Sequence, residues 1–428
     1  MKKQIPLKTR RKFIGHALVG MASSMAIPSY SRTSDGNYGK SLKINTEALD
    51  EHYWEMVKSQ FSIPKGKIMV NAANLCPSPF VVTDAVIRHT RSLEKDVSFQ
   101  NRDKFSDIRT EALKLMGEYL GAEASEIGIT RNTSEGNNII VNGLDFEKSD
   151  EVIVWNQNHP TNHVAWQQRA KREGFSVKII KMPENPKSKS DLLDAIKDSI
   201  SDKTRLIAFS HISNVSGIAM PAAEICELAK SKGILTLIDG AQSFGIEKVN
   251  LKQIGCDFYT GSAHKWLMGP KETGIIFVRG ERIDEVWPSV ISAGWKEDWK
   301  TVDEKLCVLG QRNPAAASAL VETINFHNDI GNINIQKRVR ALTNFLKEQI
   351  QDRIPGSSFV TPKQEEISGG IVIFKMKDRD SIHIFQKLYE NYGIASAPSG
   401  GIRFSPNIYN TMADMEMVVD VLSELNGG

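Results

Sequence analysis

The sequence contains few cysteines, and they lie far apart. Its 428 residues include four cysteines without a C-x-x-C pair: Cys76, Cys226, Cys256 and Cys307. This spacing indicates neither a zinc site nor a disulfide framework. The sequence also has no run of about 18 apolar residues, which a membrane-spanning helix would need. Internal repeats and low-complexity segments are absent too, and 40% hydrophobic with 25% charged residues is typical of a globular protein.

The first residues have the pattern of an export signal. A basic start contains Arg10-Arg11-Lys12-Phe13, and a mildly apolar run extends from Ala17 to Ile27. Adjacent arginines in this setting are typical of a twin-arginine signal, whereas the alternative is a basic, disordered tail. We predict that residues 1–26 are a signal peptide for the twin-arginine export machinery and that the protein is periplasmic. Because that route carries folded proteins, it is a first indication of a bound cofactor.

The positive charge of the chain is confined to this segment. Residues 1–26 hold six Lys or Arg and no acids, so without them 48 basic residues face 51 acidic ones and the net charge changes from +3 to −3. Nothing in this charge pattern indicates nucleic-acid binding.

Short apolar runs alternate with helix-like stretches between about residues 105 and 280. The predicted strands are Glu151–Trp155, Ser176–Ile180, Arg205–Phe209, Leu235–Ile238, Asp257–Tyr259 and Gly274–Val278. Helices are predicted over His163–Glu173, Ser190–Ser199 and Ala222–Lys232. This alternation is typical of βαβ units, so we predict an α/β fold with a mostly parallel sheet.

The pattern changes toward the C-terminus. Helices are predicted over Ala316–Asn328, Ile335–Gln351, Ser381–Asn391 and Met412–Leu425, with strands over Gly370–Lys375 and Ile402–Phe404. This composition predicts a smaller α+β lobe. We therefore divide the chain into the signal (1–26), a linker and N-terminal segment (27–64), a large domain (65–325) and a small C-terminal domain (326–428), since 428 residues exceed what one core supports.

Polar groups follow several of the predicted strands. Asp239 directly follows one strand, while Thr133 and Ser134 lie in a turn that enters a helix. In open α/β sheets, ligands bind at the carboxyl ends of the strands. A turn with hydroxyl groups before a helix suits a phosphate, an aspartate suits a protonated ring nitrogen, His159 can stack on an aromatic ring, and Lys265 can form a Schiff base. Pyridoxal phosphate uses this set of groups.

Five segments carry a family resemblance. They are ITRNTSEGNN (129–138), NHPTN (158–162), SHISNVSG (210–217), LIDGAQS (237–243) and TGSAHKWLMGP (260–270). Over residues 65–325 the chain resembles the fold-type I pyridoxal-phosphate enzymes of aminotransferase class V, a group with cysteine desulfurases, kynureninase-like and isopenicillin N epimerase-like proteins. The resemblance implies the PLP-dependent transferase fold of type I, pyridoxal 5′-phosphate as cofactor, and a homodimer with its site at the interface.

The resemblance also implies a role for individual residues. Lys265 is the Schiff-base lysine and later the general base, Asp239 holds the ring-nitrogen proton, and His159 stacks on the ring. The other implied contacts are Thr133, Ser134, Ser262 and His264 at the phosphate, Gln242 and Asn214 near the ring hydroxyl, and Thr273 with Gly310-Gln311-Arg312 toward the neighbouring subunit's cofactor.

Other interpretations stay open for four of these residues. Asp239 can be a buried structural acid, and His159 can cap the loop before Pro160. Asn214 can be a turn residue in N-V-S-G, and Lys265 can be a solvated lysine.

The C-terminal lobe contributes an arginine within a short apolar strand. Arg403 resembles the family's substrate-carboxylate arginine, which holds a carboxylate through two parallel hydrogen bonds; the alternative is a structural ion pair. Asn74, in NAANLCP (71–77), resembles the stretch on the substrate side. We predict a small-molecule amino substrate that reacts at its α-carbon, with an aminotransferase as the main hypothesis and an epimerase or lyase as the alternative.

Persulfide chemistry is not expected. Cysteine desulfurases need a cysteine on a loop shortly before the carboxylate-binding arginine, and residues 393–401 contain none. Export favours an exported metabolite as the substrate, such as a peptide or a siderophore precursor. A non-catalytic PLP-binding protein is a further alternative, which the joint presence of Lys265, Asp239 and Arg403 disfavours.

Overall fold

The computed structural model describes residues 50–427. The predicted signal peptide, with its arginine pair and its cleavage point, lies outside the described residues. The part of the predicted linker that is described contains a helix, Glu51–Lys58, whose side chains Trp54 and Val57 are buried. In residues 50–427 no helix combines the length and the apolar character that crossing a bilayer requires.

A seven-stranded sheet forms the centre of the large domain. Its strands are β2 (Ile127–Thr130), β3 (Glu151–Trp155), β4 (Ser176–Ile180), β5 (Thr204–Ser210), β6 (Leu235–Asp239), β7 (Phe258–Ser262) and β8 (Gly274–Val278). They are ordered β2-β8-β7-β6-β5-β3-β4, and only β8 runs against its neighbours. The predicted α/β fold with a mostly parallel sheet is therefore confirmed, although β2 was not among the predicted strands.

Alternate side chains of each strand enter two different cores. Ile153 and Phe209 belong to one apolar cluster, while Val154 and Ala208 belong to another. Since successive strand residues point to opposite faces, both faces of the sheet are covered, as parallel sheets require.

Helices connect and cover these strands. The α-helices of this part of the chain are Phe80–Lys95, Phe99–Arg102, Lys104–Leu120, Thr133–Gly143, Pro160–Glu173, Lys189–Ser199, Ala222–Ser231, Leu251–Ile254, Val302–Leu306, Pro314–Ser318 and Leu320–Ile330. Short 3₁₀ helices span Ala124–Glu126 and Gly280–Glu285. The sequence reading identified the crossover helices but not Phe80–Lys95 or Lys104–Leu120.

The C-terminal lobe is built on an antiparallel sheet. Its strands are β9 (Ser358–Phe359), β10 (Val372–Lys375), β12 (Ala397–Pro398) and β13 (Ile402–Phe404), in the order β12-β13-β10-β9. The helices of the lobe are Asn332–Arg353, Ser381–Tyr392 and Met412–Gly427, with a 3₁₀ turn at Glu365–Ile367.

The N-terminal segment packs against this lobe. Strand β1 (Ile68–Met69) pairs in parallel with β11 (Ile394–Ala395), and Asn71 bridges to Ser405. Trp54 shares an apolar cluster with Tyr409 of the lobe. The turn after β1 is therefore held next to β13 and lies close to the carboxyl ends of the central strands.

Candidate active site

Lys265 lies in the turn that follows β7. The amide of Met268 donates to its carbonyl oxygen at 2.9 Å, and Met268 takes a left-handed backbone conformation with φ of 56°. The Lys265 amine forms no hydrogen bond with another described residue. Burial lowers the pKa of this amine, the Arg403 guanidinium lowers it further, and Asp239 opposes both effects. The solvated lysine that was the alternative does not match this setting.

Asp239 ends β6 and is 3% exposed. Its Oδ2 accepts from the Asn137 side-chain amide at 2.9 Å, and its Oδ1 accepts from the Ala241 backbone N–H at 3.0 Å. It forms no salt bridge with a described residue, so as the buried structural acid of the alternative interpretation it would have no cationic partner there. A buried carboxylate with two neutral donors still has lone pairs for a cationic partner.

His159 caps the helix Pro160–Glu173. Its Nδ1 accepts from the Thr161 N–H at 3.3 Å and lies 2.8 Å from the Thr161 hydroxyl. Burial lowers the pKa of the ring, and the Lys265 amine lowers it further while Asp239 raises it. The capping role therefore exists, and the His159 ring is also close enough to Lys265 and Asp239 for their charges to act on it.

Two side-chain hydroxyls meet at the N-terminus of the helix Thr133–Gly143. The Thr133 N–H donates to the Ser262 Oγ at 2.9 Å, and the two side-chain oxygens are 2.8 Å apart. The Ser134 hydroxyl forms no hydrogen bond with a described residue. The buried Nδ1 of His264 has no partner among the described residues either. Free donors at a helix N-terminus suit a phosphate group.

Arg403 lies on β13 and is 6% exposed. Its Nη1 donates to the Asn214 carbonyl at 3.1 Å, and its Nη2 donates to the Asn71 Oδ1 at 3.0 Å. It forms no salt bridge with a described residue, and burial lowers its pKa to about 10. The structural ion pair that was the alternative for Arg403 is therefore not formed among the described residues, and a buried guanidinium in this state can accept an anionic partner.

Gln242 is fixed by two partners. Its Nε2 donates to the Ala73 carbonyl at 2.9 Å, and its Oε1 accepts from the Trp266 indole at 2.7 Å. One N–H of the amide stays available for the predicted contact with the ring hydroxyl. Asn214 contributes its carbonyl to Arg403, so its place in a turn and its place in the site coincide.

The turn after β1 contributes a different asparagine from the predicted one. Asn74 is exposed, and its backbone N–H donates to the Asn71 carbonyl at 3.0 Å. Asn71 instead contacts Arg403. The pairing of Asn71 with Ser405 directs this side chain toward β13, and that pairing has no signal in the local sequence.

The residues predicted to reach a neighbouring subunit differ in their exposure. Thr273 is 1% exposed, and its hydroxyl donates to the Pro270 carbonyl at 2.6 Å. Gln311 is exposed, while Arg312 donates to the Ile129 carbonyl at 3.1 Å. A cavity of about 730 Å³ lies beside these residues, between the helix Phe80–Lys95 and the segment from Pro270 to Glu272.

Cys76 interacts electrostatically with Lys265. It is 1% exposed, and its Sγ lies 3.4 Å from the Tyr409 hydroxyl and 3.5 Å from the Asn407 Nδ2. Burial raises the pKa of this thiol to about 11. A buried, protonated thiol is a poor nucleophile, so Cys76 does not substitute for the cysteine missing from residues 393–401.

The residues present fit pyridoxal phosphate. Lys265 has a free amine, Asp239 has unused lone pairs in a buried position, and His264 has a buried nitrogen without a partner. Each of these groups corresponds to one part of the cofactor: the aldehyde, the ring nitrogen and the phosphate. The sequence reading missed Asn71, Asn137 and Trp266; Asn137 was recognisable because it lies one helical turn after Thr133.

Comparison with known proteins agrees with this site. The model of the family "Aminotransferase class-V" matches residues 82–418. The chain is 28% identical over 336 residues to isopenicillin N epimerase of Streptomyces clavuligerus, covering 74% of this chain and 84% of that protein. It is 28% identical over 407 residues to a probable cysteine desulfurase of Methanothermobacter thermautotrophicus, covering 87% and 98%. A cysteine desulfurase structure from Thermococcus onnurineus NA1 superposes with a TM-score of 0.78 at 24% identity, covering 87% and 98%.

Proposed function

Because the chain belongs to the aminotransferase class-V family, whose fold is that of the type I pyridoxal-phosphate enzymes and whose cofactor is pyridoxal phosphate, we propose that it acts at the α-carbon of an amino-acid-like substrate. The observation that carries this proposal is the convergence of an unpaired amine, an unpaired carboxylate and an unpaired guanidinium at Lys265, Asp239 and Arg403. Leaving three such groups without ionic partners is costly in a folded protein, which favours a ligand that pairs with them.

Lys265 provides the proton transfer. Its lowered pKa makes the free amine available as a base closer to neutral pH than an exposed lysine would be. The bound cofactor supplies an aldehyde for the amine groups and a ring that accepts electron density. Asp239 holds the proton on the ring nitrogen, and His159, with Nδ1 fixed by its helix cap, presents a ring of set orientation to the same site.

Arg403 orients the substrate. Its two terminal nitrogens are aligned by Asn214 and Asn71, and their remaining N–H bonds can hold a carboxylate in the paired geometry that lysine lacks. The Arg403 charge acts on the Lys265 amine, so a carboxylate held at Arg403 would bind in the same site as the base. The proposed substrate therefore carries an amine and a carboxylate on one carbon.

We propose transamination as the first reaction and epimerisation as the second. Both need the base at Lys265 and the acid at Asp239, and they differ in where the proton returns. Epimerisation is favoured by the similarity to isopenicillin N epimerases of two organisms, at 28% and 26% identity. Lyase chemistry is a weaker third candidate. Cysteine desulfuration is disfavoured because Cys76 is buried with a raised thiol pKa.

Isotope exchange distinguishes these reactions. The enzyme loaded with pyridoxal phosphate is mixed with a panel of amino acids and short peptides in deuterated water, and mass spectrometry follows the cofactor and the α-hydrogen. Conversion of the cofactor to pyridoxamine phosphate supports transamination and identifies the amino donor. Deuterium uptake with retained aldehyde supports epimerisation or elimination instead. A cofactor that responds to no amino compound in the panel contradicts the proposal and favours a non-catalytic binding protein.

We also propose a homodimer with its site at the interface. Exposed apolar side chains (Leu75, Val81 and Ile87) lie on the turn and helix beside the site, next to the 730 Å³ cavity. A second copy of this chain would cover them. Sedimentation equilibrium at micromolar concentration should give twice the mass of one chain; a monomer with full activity would contradict the proposal.

Periplasmic export by the twin-arginine machinery is proposed from the Arg10-Arg11 pattern alone. The corresponding substrate is an exported amino metabolite, such as a peptide or siderophore precursor. Cell fractionation tests this: the protein should appear in the periplasm, and replacing both arginines with lysine should retain it in the cytosol. Wild-type protein found only in the cytosol would contradict both export and that substrate class.

A further inference from the structure

The carboxylate of Asp239 depends on a side chain that the family resemblance did not assign. Of its two hydrogen-bond donors, Ala241 is a backbone group and Asn137 is a side-chain amide 1% exposed to solvent. The amide can face the carboxylate with its nitrogen or with its oxygen. Only the nitrogen side favours an ionised carboxylate, because hydrogen bonds to the charged form stabilise it.

Thr260 decides which side of the Asn137 amide faces Asp239. Its hydroxyl donates to the Asn137 Oδ1 at 2.7 Å, so the nitrogen of that amide lies toward the carboxylate at 2.9 Å. Without this hydroxyl, Oδ1 would be a buried acceptor that has no donor. The Asn137 amide would then lose the bond that holds its nitrogen toward Asp239, and its donation to the carboxylate would weaken.

The fold places these three residues together. Thr260 is the register partner of Asp239 across β6 and β7, and it is fully buried. Gly136 allows the helix Thr133–Gly143 to approach β7 closely, since a Cβ at that position would lie 2.9 Å from the Thr260 Cγ2. The glycine in T-S-E-G-N-N is therefore the residue that lets Asn137 reach Thr260.

Few charged groups act on the Asp239 carboxylate besides its two hydrogen-bond donors. Among the described residues, the titratable groups that interact with Asp239 are the Lys265 amine, the His159 ring and the buried Tyr259 hydroxyl. The Lys265 amine would be the attachment point of a bound cofactor, so the amine would not then be a permanent counter-ion of Asp239. The hydrogen bonds of Ala241 and Asn137 are the fixed donors that remain.

We propose that Thr260, acting through Asn137, is a positioning residue that fixes a hydrogen-bond donor on Asp239 and thereby helps Asp239 to hold the proton on the ring nitrogen of the bound cofactor. This inference rests on the proposed function, in which that proton makes the ring an electron acceptor. The hydrogen bond of the Thr260 side chain goes to Asn137, so Thr260 is proposed to act through that amide. Its effect is expected in the protonation state of the cofactor before it is seen in turnover.

Nitrogen NMR measures that state directly. The holoenzyme is loaded with pyridoxal phosphate labelled with ¹⁵N in the ring, and the ¹⁵N chemical shift is followed against pH. Wild type should show a protonated nitrogen around neutral pH. Thr260→Val keeps the shape of the side chain but removes its donor, and it should lower the midpoint of the ring-nitrogen titration by roughly one pH unit, with about a tenfold loss of kcat. Thr260→Ser should restore both.

A matched control separates this effect from the loss of any buried hydroxyl. Thr343 is also 1% exposed and donates to the Val339 carbonyl within its helix, so Thr343→Val should leave the ¹⁵N shift unchanged. If Thr260→Val does not fold, Asn137→Ala is the second test and should move the titration at least as far.

The outcomes are distinguishable. A shift in Thr260→Val with rescue by serine supports the inference. A titration identical to wild type in Thr260→Val or Asn137→Ala overturns it while leaving the proposed function intact. An unprotonated ring nitrogen in the wild type overturns this inference and the role of Asp239 together, and a wild type that reacts with no amino compound overturns the proposed function instead.

Discussion

Two arginines of the same lobe are buried to the same extent but have different surroundings. Arg338 is 5% exposed and Arg403 is 6% exposed. Arg338 binds both oxygens of Glu51 at 2.8 Å and stacks over Trp54 at 5.1 Å. Arg403 has only neutral acceptors, the Asn71 side chain and the Asn214 carbonyl. The Nε of each is buried without an acceptor, so the difference lies in the acid.

The two arginines illustrate two kinds of buried charge: one that is neutralised within the fold and one that is left for a ligand. A guanidinium with its own carboxylate joins the N-terminal helix to the lobe and needs nothing more. A guanidinium without one leaves part of its desolvation cost uncompensated until an anion binds. His327 and Lys265 differ in the same way. Both ring nitrogens of His327 have hydrogen-bond partners, whereas the Lys265 amine has none among the described residues.

The largest expected effect is at Lys265. Lys265→Ala should lower kcat by roughly 10⁴-fold and abolish the covalent cofactor absorbance, because the amine is both the attachment point and the base. Lys347→Met is the matched control, since Lys347 is 7% exposed but bonded to the Ser368 hydroxyl at 3.1 Å. Stopped-flow absorbance and steady-state rates measure both variants. Retained turnover in Lys265→Ala would contradict the assigned site.

Exchange of the two arginines for methionine gives opposite expected results. Arg403→Met should raise KM for an amino acid about 100-fold, because two charge-assisted hydrogen bonds are lost, and change the free energy of unfolding by less than about 1 kcal/mol. Arg338→Met should leave KM unchanged and lower the free energy of unfolding by about 2–3 kcal/mol, since Glu51 loses its partner. Denaturant titration measures the free energy of unfolding of both variants, and steady-state kinetics measures their KM. Equal effects of both variants on KM would contradict the assignment of Arg403 to the site and Arg338 to the fold.

The free energy of unfolding should depend on pH through His327. Burial lowers the pKa of its ring to about 4 from an ordinary 6.5. Between these values the unfolded chain binds the extra proton, so the stabilisation is complete above pH 6.5 and is lost as pH falls toward 4, by up to about 3 kcal/mol. His327→Gln should flatten this dependence in urea titrations. An unchanged slope would show that other groups dominate acid unfolding.

The smallest effect is expected at Cys76, whose thiol already has hydrogen-bond partners within the site region. Cys76→Ser should keep kcat/KM within about threefold, because the serine hydroxyl can take the hydrogen bonds of Tyr409 and Asn407. Sulfide release from cysteine should be negligible in wild type and variant alike. Sulfide production that disappears in the variant would reverse the conclusion on desulfuration.

Local sequence patterns predicted the large domain well. EVIVW and SVKII became β3 and β4 with the predicted bounds, because a short apolar run between polar turns has few other stable conformations in a sheet covered on both sides. The class-V family and its cofactor were likewise confirmed. Strand β2 was missed because its four residues run directly into the turn at Asn132, where the hydroxyl-rich motif dominates the pattern.

The substrate side of the site was harder to predict. Asn74 was chosen from the NAAN stretch, whereas the contact with Arg403 comes from Asn71, 332 residues away in the chain. Which asparagine of a turn points inward depends on strand pairing with β11 and β13, and such pairing between distant segments leaves no local periodicity.

The sequence by itself indicated the family and the cofactor, because Lys265, Asp239 and the turn at Thr133 each stand beside a strand end that apolar patterning locates. Only the tertiary structure decided which charged groups are left without partners. The family resemblance pointed to Arg403 but left a structural ion pair open as its alternative, and the local sequence does not show which buried arginine has an acid as its partner. The acid that neutralises Arg338 comes from the N-terminal helix, and Arg403 is buried without an acid among the described residues, so part of its desolvation cost stays uncompensated.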